Sequence, residues 1–204
     1  MLRSAASPIM CLLVATTNPG KAREFRHLLH PVTPNAIFPD DLGIQINVIE
    51  DGATYEDNAI KKATAYCMAS GLVTVADDSG LEVDALGGAP GIRSARYAEG
   101  RDADRVEHLL AQMSHVSPRQ RTARFRCALA IVTPCGATHV AEGACEGIIA
   151  QAPSGTGGFG YDPVFWLPEH GCTMADLGPD VKNRISHRAR AVAAALPVLN
   201  HLLR

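Results

Sequence analysis

The feature that most constrains the fold is a pair of long apolar-rich runs, residues 122–133 and 138–150, separated by a Pro134-Cys135-Gly136 turn. This pattern predicts a β-hairpin. Each arm is about twice as long as the usual strand of five or six residues. An extended ribbon of this length is suited to carry a second lobe or a dimer surface, so we expect the rest of the chain to pack around it.

The segment before the ribbon alternates apolar runs with capped helices, which predicts a layered α/β fold. Strands are predicted at residues 10–15, 42–49 and 72–76, and helices from Pro19 to about Leu29 and over Tyr55–Ser70. Asn18 caps the first helix, and Thr54 and Asp57 form a capping box on the second. Gly71 ends that helix. Further helices are predicted at residues 101–113 and 186–203.

The composition excludes several classes of partner. The chain has 204 residues, enough for one sizeable core, and a formal charge of −2, whereas a polynucleotide partner usually demands a basic face. No apolar run reaches the length of a membrane span. Six cysteines without a C-x-x-C pair indicate buried thiols in a reducing compartment, with disulfides the lesser alternative. We therefore expect a cytoplasmic protein that contacts neither nucleic acid nor membrane.

Residues 1–9 are predicted to be an N-terminal extension, and residues 10–204 a single domain. The extension has one arginine and no long apolar stretch, too little for a signal or transit peptide. Met10 stands directly before the first predicted strand and is an alternative start.

Two adjacent carboxylates, Asp77 and Asp78, directly follow the apolar run at residues 72–76. Two neighbouring negative charges at a strand end repel each other, which favours a cation that holds them. Glu50 ends another predicted strand and is a candidate third ligand for Mg²⁺, which prefers carboxylate oxygens. The alternatives are an acidic turn, because Asp, Ser and Gly are common in turns, and a solvated helix face near Lys62.

Three further segments are suited to bind an anion or a flat ring. Residues 16–21 join a strand to a helix start, where free N–H groups and Lys21 favour a phosphate. Residues 155–160 match G-x-G-x-x-G, but Pro163 argues against the helix of a dinucleotide fold, so Phe159 in a ligand loop is the better account. His187 and Arg188 put positive charge at a helix start, which needs an acceptor nearby. Ordinary capping, packing and a surface basic patch are the alternatives.

In this order the segments resemble those of the inosine/xanthosine triphosphate pyrophosphatase family, whose members hydrolyse non-standard purine nucleoside triphosphates. The matching segments are residues 16–21, 57–59 with Lys62, 76–81, 87–91 with 94–97, 157–163 and 185–188. Together they extend over nearly the whole chain from Met10. Six ordered motifs make a specific match.

The resemblance implies a mixed, elongated sheet with flanking helices, in two lobes around a central cleft, and a homodimer. It implies Mg²⁺-dependent hydrolysis of ITP, dITP or XTP to the monophosphate and pyrophosphate, which cleanses the nucleotide pool. By that similarity Asp78 is the general base, and the metal lies among Glu50, Asp77 and Asp78. Phosphate and ribose contacts are implied for Thr16, Thr17, Asn18, Pro19, Gly20, Lys21, Lys62 and Ser79. Base contacts are implied for Phe159, Gly160, Tyr161, Asp162, Lys182, His187 and Arg188.

Hydrogen bonding gives a reason for base selection. Inosine and xanthosine carry a 6-oxo acceptor for His187 and Arg188, whereas adenine presents a 6-amino donor. Guanine also carries a 6-oxo group, so its rejection has to depend on the 2-amino side, for which the sequence indicates no residue. Hydrolysis of another nucleotide, such as a modified pyrimidine triphosphate, is one alternative. A nucleotide-binding sensor without turnover is the other, although the carboxylates argue against it.

Overall fold

A computed structural model describes residues 11–204. The predicted extension at residues 1–9 and the alternative start at Met10 lie outside the described residues. The single domain over residues 10–204 stays a prediction. None of the helices in the described range is long and apolar enough to cross a membrane.

A six-stranded sheet forms the centre of the fold, with the strands side by side in chain order. They are β1 (Leu12–Val14), β2 (Val73–Val83), β3 (Thr122–Val132), β4 (Thr138–Ile149), β5 (Phe165–Leu167) and β6 (Cys172–Thr173). β1 runs parallel to β2, and each later strand is antiparallel to its neighbour. The predicted hairpin is confirmed as β3 and β4. The mixed sheet expected from the resemblance is confirmed as well.

Residues 11–204 contain five α-helices: α1 (Pro19–Leu29), α2 (Tyr55–Ser70), α3 (Asp102–Gln112), α4 (Pro179–Ile185) and α5 (His187–Leu202). α1 and α5 cover one face of the sheet near β1, with Phe25 and Leu199 in the core there. α2 covers the opposite face. A third core, around Leu109 and Phe165, surrounds the far ends of β2, β3 and β4. The long strands therefore connect two lobes.

The predicted helix caps are observed. The Asn18 side chain accepts a hydrogen bond from the Lys21 N–H, and Thr54 and Asp57 bond each other's backbone N–H groups. Gly71 ends α2 with a φ of 70°, the left-handed region that favours glycine. These helix ends are therefore determined by residues close to them in sequence. α4, which begins with Pro179 after Gly178, was not predicted.

The strand predicted at residues 42–49 is wrong. Residues 44–50 are irregular in the structure. The free edge of β1 is instead met by Ile37, whose N–H donates to the Leu12 carbonyl (2.9 Å) and whose carbonyl accepts from the Val14 N–H (2.8 Å). Ile44 and Val48 pack against the core beneath α2, whereas Ile46, the middle residue of the alternation, is exposed. The alternating pattern therefore corresponds neither to a strand nor to one continuous buried face.

The predicted end of the strand at residue 76 is also wrong, because β2 continues through Val83. Asp77 and Asp78 lie inside the strand and pair with Leu129 and Ala128 of β3. The hydrogen bonds of the long β3 ribbon keep Ser79 and Gly80 extended, where their local preference is for a turn.

Arg121 is a buried structural residue at the start of the ribbon. Its guanidinium donates to the carbonyls of Ile149 (2.8 Å), Met113 (2.9 Å) and Ala150 (3.0 Å). We expect Arg121→Ala to leave these acceptors unpaired and to lower the free energy of unfolding by roughly 3 kcal/mol, measured by urea denaturation. Arg124→Ala, which removes surface ion pairs on the same strand, is the control and is expected to cost at most about 1 kcal/mol. Equal effects would contradict this role for Arg121.

Candidate functional site

The site lies where β1 ends and β2 continues. The Ala15 N–H bonds the Val75 carbonyl (2.8 Å), and beyond this point the edge of β2 faces a cleft. The cleft has a volume of about 770 Å³, including space open to solvent. Its walls come from the start of α1, from β2, and from the glycine-rich loop at residues 154–161, with α3 and α5 at one end. Both lobes therefore contribute to one cavity.

Asp77 and Asp78 point to opposite faces of the sheet, as consecutive residues of a strand do. The Asp77 Oδ2 atom accepts from Arg188 Nη2 (2.7 Å) on α5 and lies 3.1 Å from Lys21 Nζ on α1. The Asp78 Oδ2 atom accepts from Asn58 Nδ2 (2.9 Å) on α2. Protein groups thus hold each carboxylate separately, and the shared cation predicted from their adjacency stays a prediction.

Asp77 is a fully buried, ionised residue. Burial opposes its ionisation, but Arg188, Lys21 and Lys62 outweigh burial and hold the pKa of Asp77 well below its usual range. Burial lowers the pKa of Lys21 despite the attraction of Asp77. The Asp77 Oδ1 atom has no hydrogen-bond partner within residues 11–204. Asp77 therefore anchors two cations beneath the cleft.

Asp78 lines the cleft and is less strongly paired. Its second oxygen, Oδ1, accepts from the backbone N–H of Ser79 (2.9 Å). Burial raises the pKa of Asp78, although Lys21 and the Asn58 hydrogen bond oppose this. A carboxylate with a raised pKa is a stronger base, and here it lies in a cavity beside Lys21.

Glu50 approaches the same cleft from the irregular segment before α2. Its Oε1 atom lies 2.7 Å from Lys62 Nζ, and its carbonyl accepts from Arg96 Nη2 (3.0 Å). The buried Asn58 connects this segment to Asp78, because its Oδ1 atom accepts from the Gly52 N–H (2.8 Å) while its amide nitrogen bonds Asp78. Asn58 therefore positions Asp78 and also holds the backbone two residues after Glu50.

The metal site predicted at Glu50, Asp77 and Asp78 stays a prediction. Within residues 11–204 no group of three or more His, Cys, Asp or Glu side chains is arranged to hold a metal ion. Asp77 is bound by Arg188 and Lys21 on the other face of the sheet. Glu50 and Asp78 remain as carboxylates that line the cleft.

The turn at residues 16–21 lies at the mouth of the cleft. Asn18 and Lys21 line the cavity, and Thr16 Oγ1 accepts from the Asn18 N–H (3.2 Å). Pro19 occupies the first turn of α1 and Thr17 is exposed. Gly20 packs directly against the Phe159 ring, since an added Cβ would lie 2.6 Å from its Cδ1 atom. This contact connects α1 to the glycine-rich loop.

The opposite end of the cleft is aromatic and contains ordered polar groups. The Phe159 N–H donates to Asp162 Oδ2 (2.8 Å), and Lys182 Nζ ion-pairs with Asp162 and lies 4.8 Å from the centroid of the Phe159 ring. Gly160 and Tyr161 complete this wall, and the Tyr161 hydroxyl donates to the Ser94 carbonyl (2.9 Å). This end, the aromatic slot, has the side chains to bind a flat ring.

His187 is buried and neutral. Its ring stacks on Phe125 with centroids 4.7 Å apart. Burial, reinforced by Arg188 and Lys182, lowers the pKa of His187 well below its usual value. The Nδ1 atom lacks a hydrogen-bond partner in the described part of the chain. A neutral imidazole in this slot retains hydrogen-bonding capacity for a ligand.

Glu24 is a residue that the sequence reasoning missed. This buried acid of α1 bridges Lys182 (2.8 Å) and Arg188, and those cations hold its pKa below the usual range although burial opposes them. Arg188 also donates to Ser79 Oγ (2.8 Å), so most of its donors are occupied by the protein. The available signal was an acid three residues after Lys21, on the same side of an amphipathic helix.

Carboxylates and lysines at one end of a cleft, with an aromatic slot at the other, are the features of an α/β protein that binds a nucleotide. The chain belongs to the Ham1 family, whose sequence model matches residues 12–198. The family membership predicted from the six motifs is thus confirmed.

Individual relatives cover almost the whole chain. A dITP/XTP pyrophosphatase of Desulforamulus reducens is 47% identical over 195 residues, which are 95% of this chain and 97% of that protein. A dITP/XTP pyrophosphatase of Geobacillus kaustophilus is 50% identical over 187 residues, covering 89% and 90%. The structure of the Staphylococcus aureus Ham1 protein superposes with a TM-score of 0.83 at 37% identity, covering 94% of this chain and 99% of its own.

Proposed function

We propose that the protein hydrolyses non-standard purine nucleoside triphosphates, ITP, dITP and XTP, to the monophosphate and pyrophosphate. The observation that carries this proposal is Asp78, a cleft carboxylate with a raised pKa that Asn58 holds in place beside Lys21. The names of its relatives, dITP/XTP pyrophosphatases, support the substrate class.

In this mechanism Asp78 takes a proton from the water that attacks the α-phosphorus. Lys21 and Lys62 neutralise charge that develops on the phosphate oxygens, and the positive end of the α1 dipole attracts the phosphate chain. Asp77 does not contact the reacting atoms. It keeps Lys21 and Arg188 in position through buried ion pairs. Ser79, bonded to both Asp77 and Arg188, completes the wall beneath the ribose.

Mg²⁺ is the cofactor that fits the available donors. Mg²⁺ is commonly bound by one or two carboxylates together with substrate phosphates and waters. Glu50 and Asp78 supply two carboxylates to the cleft, so these residues would hold the ion. When bound, the metal would withdraw charge from the phosphate oxygens. Lys62, now paired with Glu50, lies where it would share that task.

The aromatic slot holds the base. Phe159 supplies a flat face, and Tyr161 and Asp162 shape the wall through their contacts with Ser94 and Lys182. His187 donates to the 6-oxo oxygen, because a neutral imidazole has one N–H and the side chain lines the slot. Arg188 and Lys182 lie beside this position, where each is held by an ion pair with Glu24.

A substrate panel tests the function. The purified protein is given ITP, dITP, XTP, GTP, ATP and a modified pyrimidine triphosphate with Mg²⁺, and pyrophosphate and orthophosphate are measured separately. We expect pyrophosphate from the first three and its loss when EDTA is added. Orthophosphate as the product, or preference for the pyrimidine, would contradict the proposal. Tight ITP binding without product would indicate a sensor.

The Gly20 contact provides a test of the slot. We expect Gly20→Ala to displace the Phe159 ring and raise KM for ITP about fivefold or more, as overpacking costs about 1–3 kcal/mol. The unfolding temperature should fall only a little, because the helix propensity of alanine, about 1 kcal/mol better than that of glycine, offsets part of this cost. Gly178→Ala is the control, since a Cβ there meets nothing within 4 Å. An unchanged KM for Gly20→Ala would show that Phe159 does not support the base.

We further propose a cytoplasmic homodimer, on the resemblance to the family. Light scattering after size-exclusion chromatography measures the mass of the assembly, and a monomer at micromolar concentration would contradict the dimer.

A further inference from the structure

A second group of polar side chains borders the aromatic slot, and these come from the first turn of α3. Asp102 and Arg105 line the same cavity as Phe159 and His187. The Arg105 Nη2 atom pairs with Asp102 Oδ1, and its Nη1 atom donates to the Gly100 carbonyl (2.8 Å). The Arg105 side chain is 17% exposed. A guanidinium with five N–H donors thus has donors left for a ligand.

The α3 pair is fixed against the glycine-rich loop. The Asp102 Oδ2 atom accepts from the Gly160 N–H (2.6 Å), next to the ring of Phe159. Lys182 and His187 reach the slot from α4 and α5, whereas Arg105 reaches it from α3. A purine stacked on Phe159 therefore meets donors from two different elements. With the 6-oxo group at His187, the α3 side is left for the C2 position.

We propose that Arg105 determines selectivity at C2 of the purine, a role that rests on the proposed function. Hypoxanthine carries hydrogen at C2, xanthine an oxo acceptor and guanine an amino donor. Arg105 has only donors, so it bonds the 2-oxo group, tolerates hydrogen and leaves a 2-amino group unpaired. Asp102 is the acceptor that guanine would need, but each of its oxygens already accepts a hydrogen bond, one from Arg105 and one from the Gly160 N–H, so a 2-amino group would compete with these partners.

The test is Arg105→Met, which keeps the length of the side chain, removes the donors and frees Asp102. We expect kcat/KM for XTP to fall about tenfold or more, as loss of a hydrogen bond from a charged donor should. The value for ITP should change less than about threefold, and the value for GTP should rise. Arg105→Lys keeps a donor and should restore part of the XTP activity. Arg101→Met, at a side chain 88% exposed just before α3, is the control.

Dissociation constants for XTP, ITP and GTP, measured by calorimetry on the same variants, separate this inference from the proposed function. A changed XTP-to-ITP affinity ratio supports Arg105 even if pyrophosphate release fails. If Arg105→Met and Arg105→Lys lost affinity equally for all three nucleotides, Arg105 would only support the loop, and the inference would be overturned. Absence of binding to every purine triphosphate would overturn both proposals.

Discussion

Asp78→Asn is expected to lower kcat for ITP by at least about a hundredfold while the protein remains folded, as loss of a general base should. The amide keeps the size of the side chain and can still accept from the Ser79 N–H, but its nitrogen then faces Asn58 Nδ2. The lost Asn58 hydrogen bond should cost about 1–3 kcal/mol, which leaves the protein folded. It cannot take a proton from water at neutral pH. Pyrophosphate release at saturating ITP gives kcat, and thermal unfolding checks the fold.

Asp51→Asn is the matched control for this result. Asp51 is an exposed acid beside Glu50, and it pairs with Lys61 at the surface. Its substitution should leave kcat within about twofold of wild type because surface ion pairs contribute little. Near-normal turnover in Asp78→Asn would remove Asp78 from the role of base. A large loss in both variants would point to the net charge of the segment instead.

Asp77→Asn is expected to act mainly on stability. Asp77 is fully buried between Arg188 and Lys21, so its neutralisation leaves two buried cations without their shared partner. Breaking a buried ion pair costs about 3–5 kcal/mol. For a chain of this size this lowers the unfolding temperature by roughly 6–20 °C. Urea denaturation of Asp77→Asn and Asp78→Asn side by side measures the difference.

The pH dependence of stability gives an independent check. The pKa values of Asp77 and Glu24 lie below their usual range in the folded protein. These groups therefore stabilise the fold above about pH 4, where the unfolded chain is also ionised, and the contribution is lost as pH falls further. Acid unfolding of Asp77→Asn should be less steep than that of wild type. If Asp77→Asn had wild-type stability but no turnover, Asp77 would instead act in the reaction itself.

Much of the fold was predictable because local chemistry determines it. The cap at Asn18, the capping box of Thr54 and Asp57, and the two long arms of the ribbon each depend on residues close in sequence. The segment at residues 42–49 was not, since an alternating apolar pattern does not reveal whether a neighbouring strand exists to pair with it. Here Ile37 already pairs with the free edge of β1.

The residues of the candidate site were predictable from the sequence, but the contacts between them were not. Asp77, Asp78, Lys21 and His187 were all singled out, but adjacency in sequence suggested one shared cation for the two acids. Their separation depends on β2 continuing through Ser79 and Gly80, which only the pairing with β3 enforces. Glu24 and Arg105 were missed because what connects them to the cleft is long-range in sequence. For Glu24 it is the ion pair with Arg188, and for Arg105 it is the bond between Asp102 and Gly160.

The brevity of β1 has a consequence for how this site can change. With Leu12–Val14 as its whole length, β1 leaves the backbone of Asp77 and Ser79 uncovered on one edge, so groups from both faces of the sheet meet around a gap. Two more strand residues after Val14 would close that gap by ordinary ladder pairing with β2 and would displace the turn at residues 16–21. The site should therefore tolerate many substitutions around it better than an insertion between Val14 and Asn18.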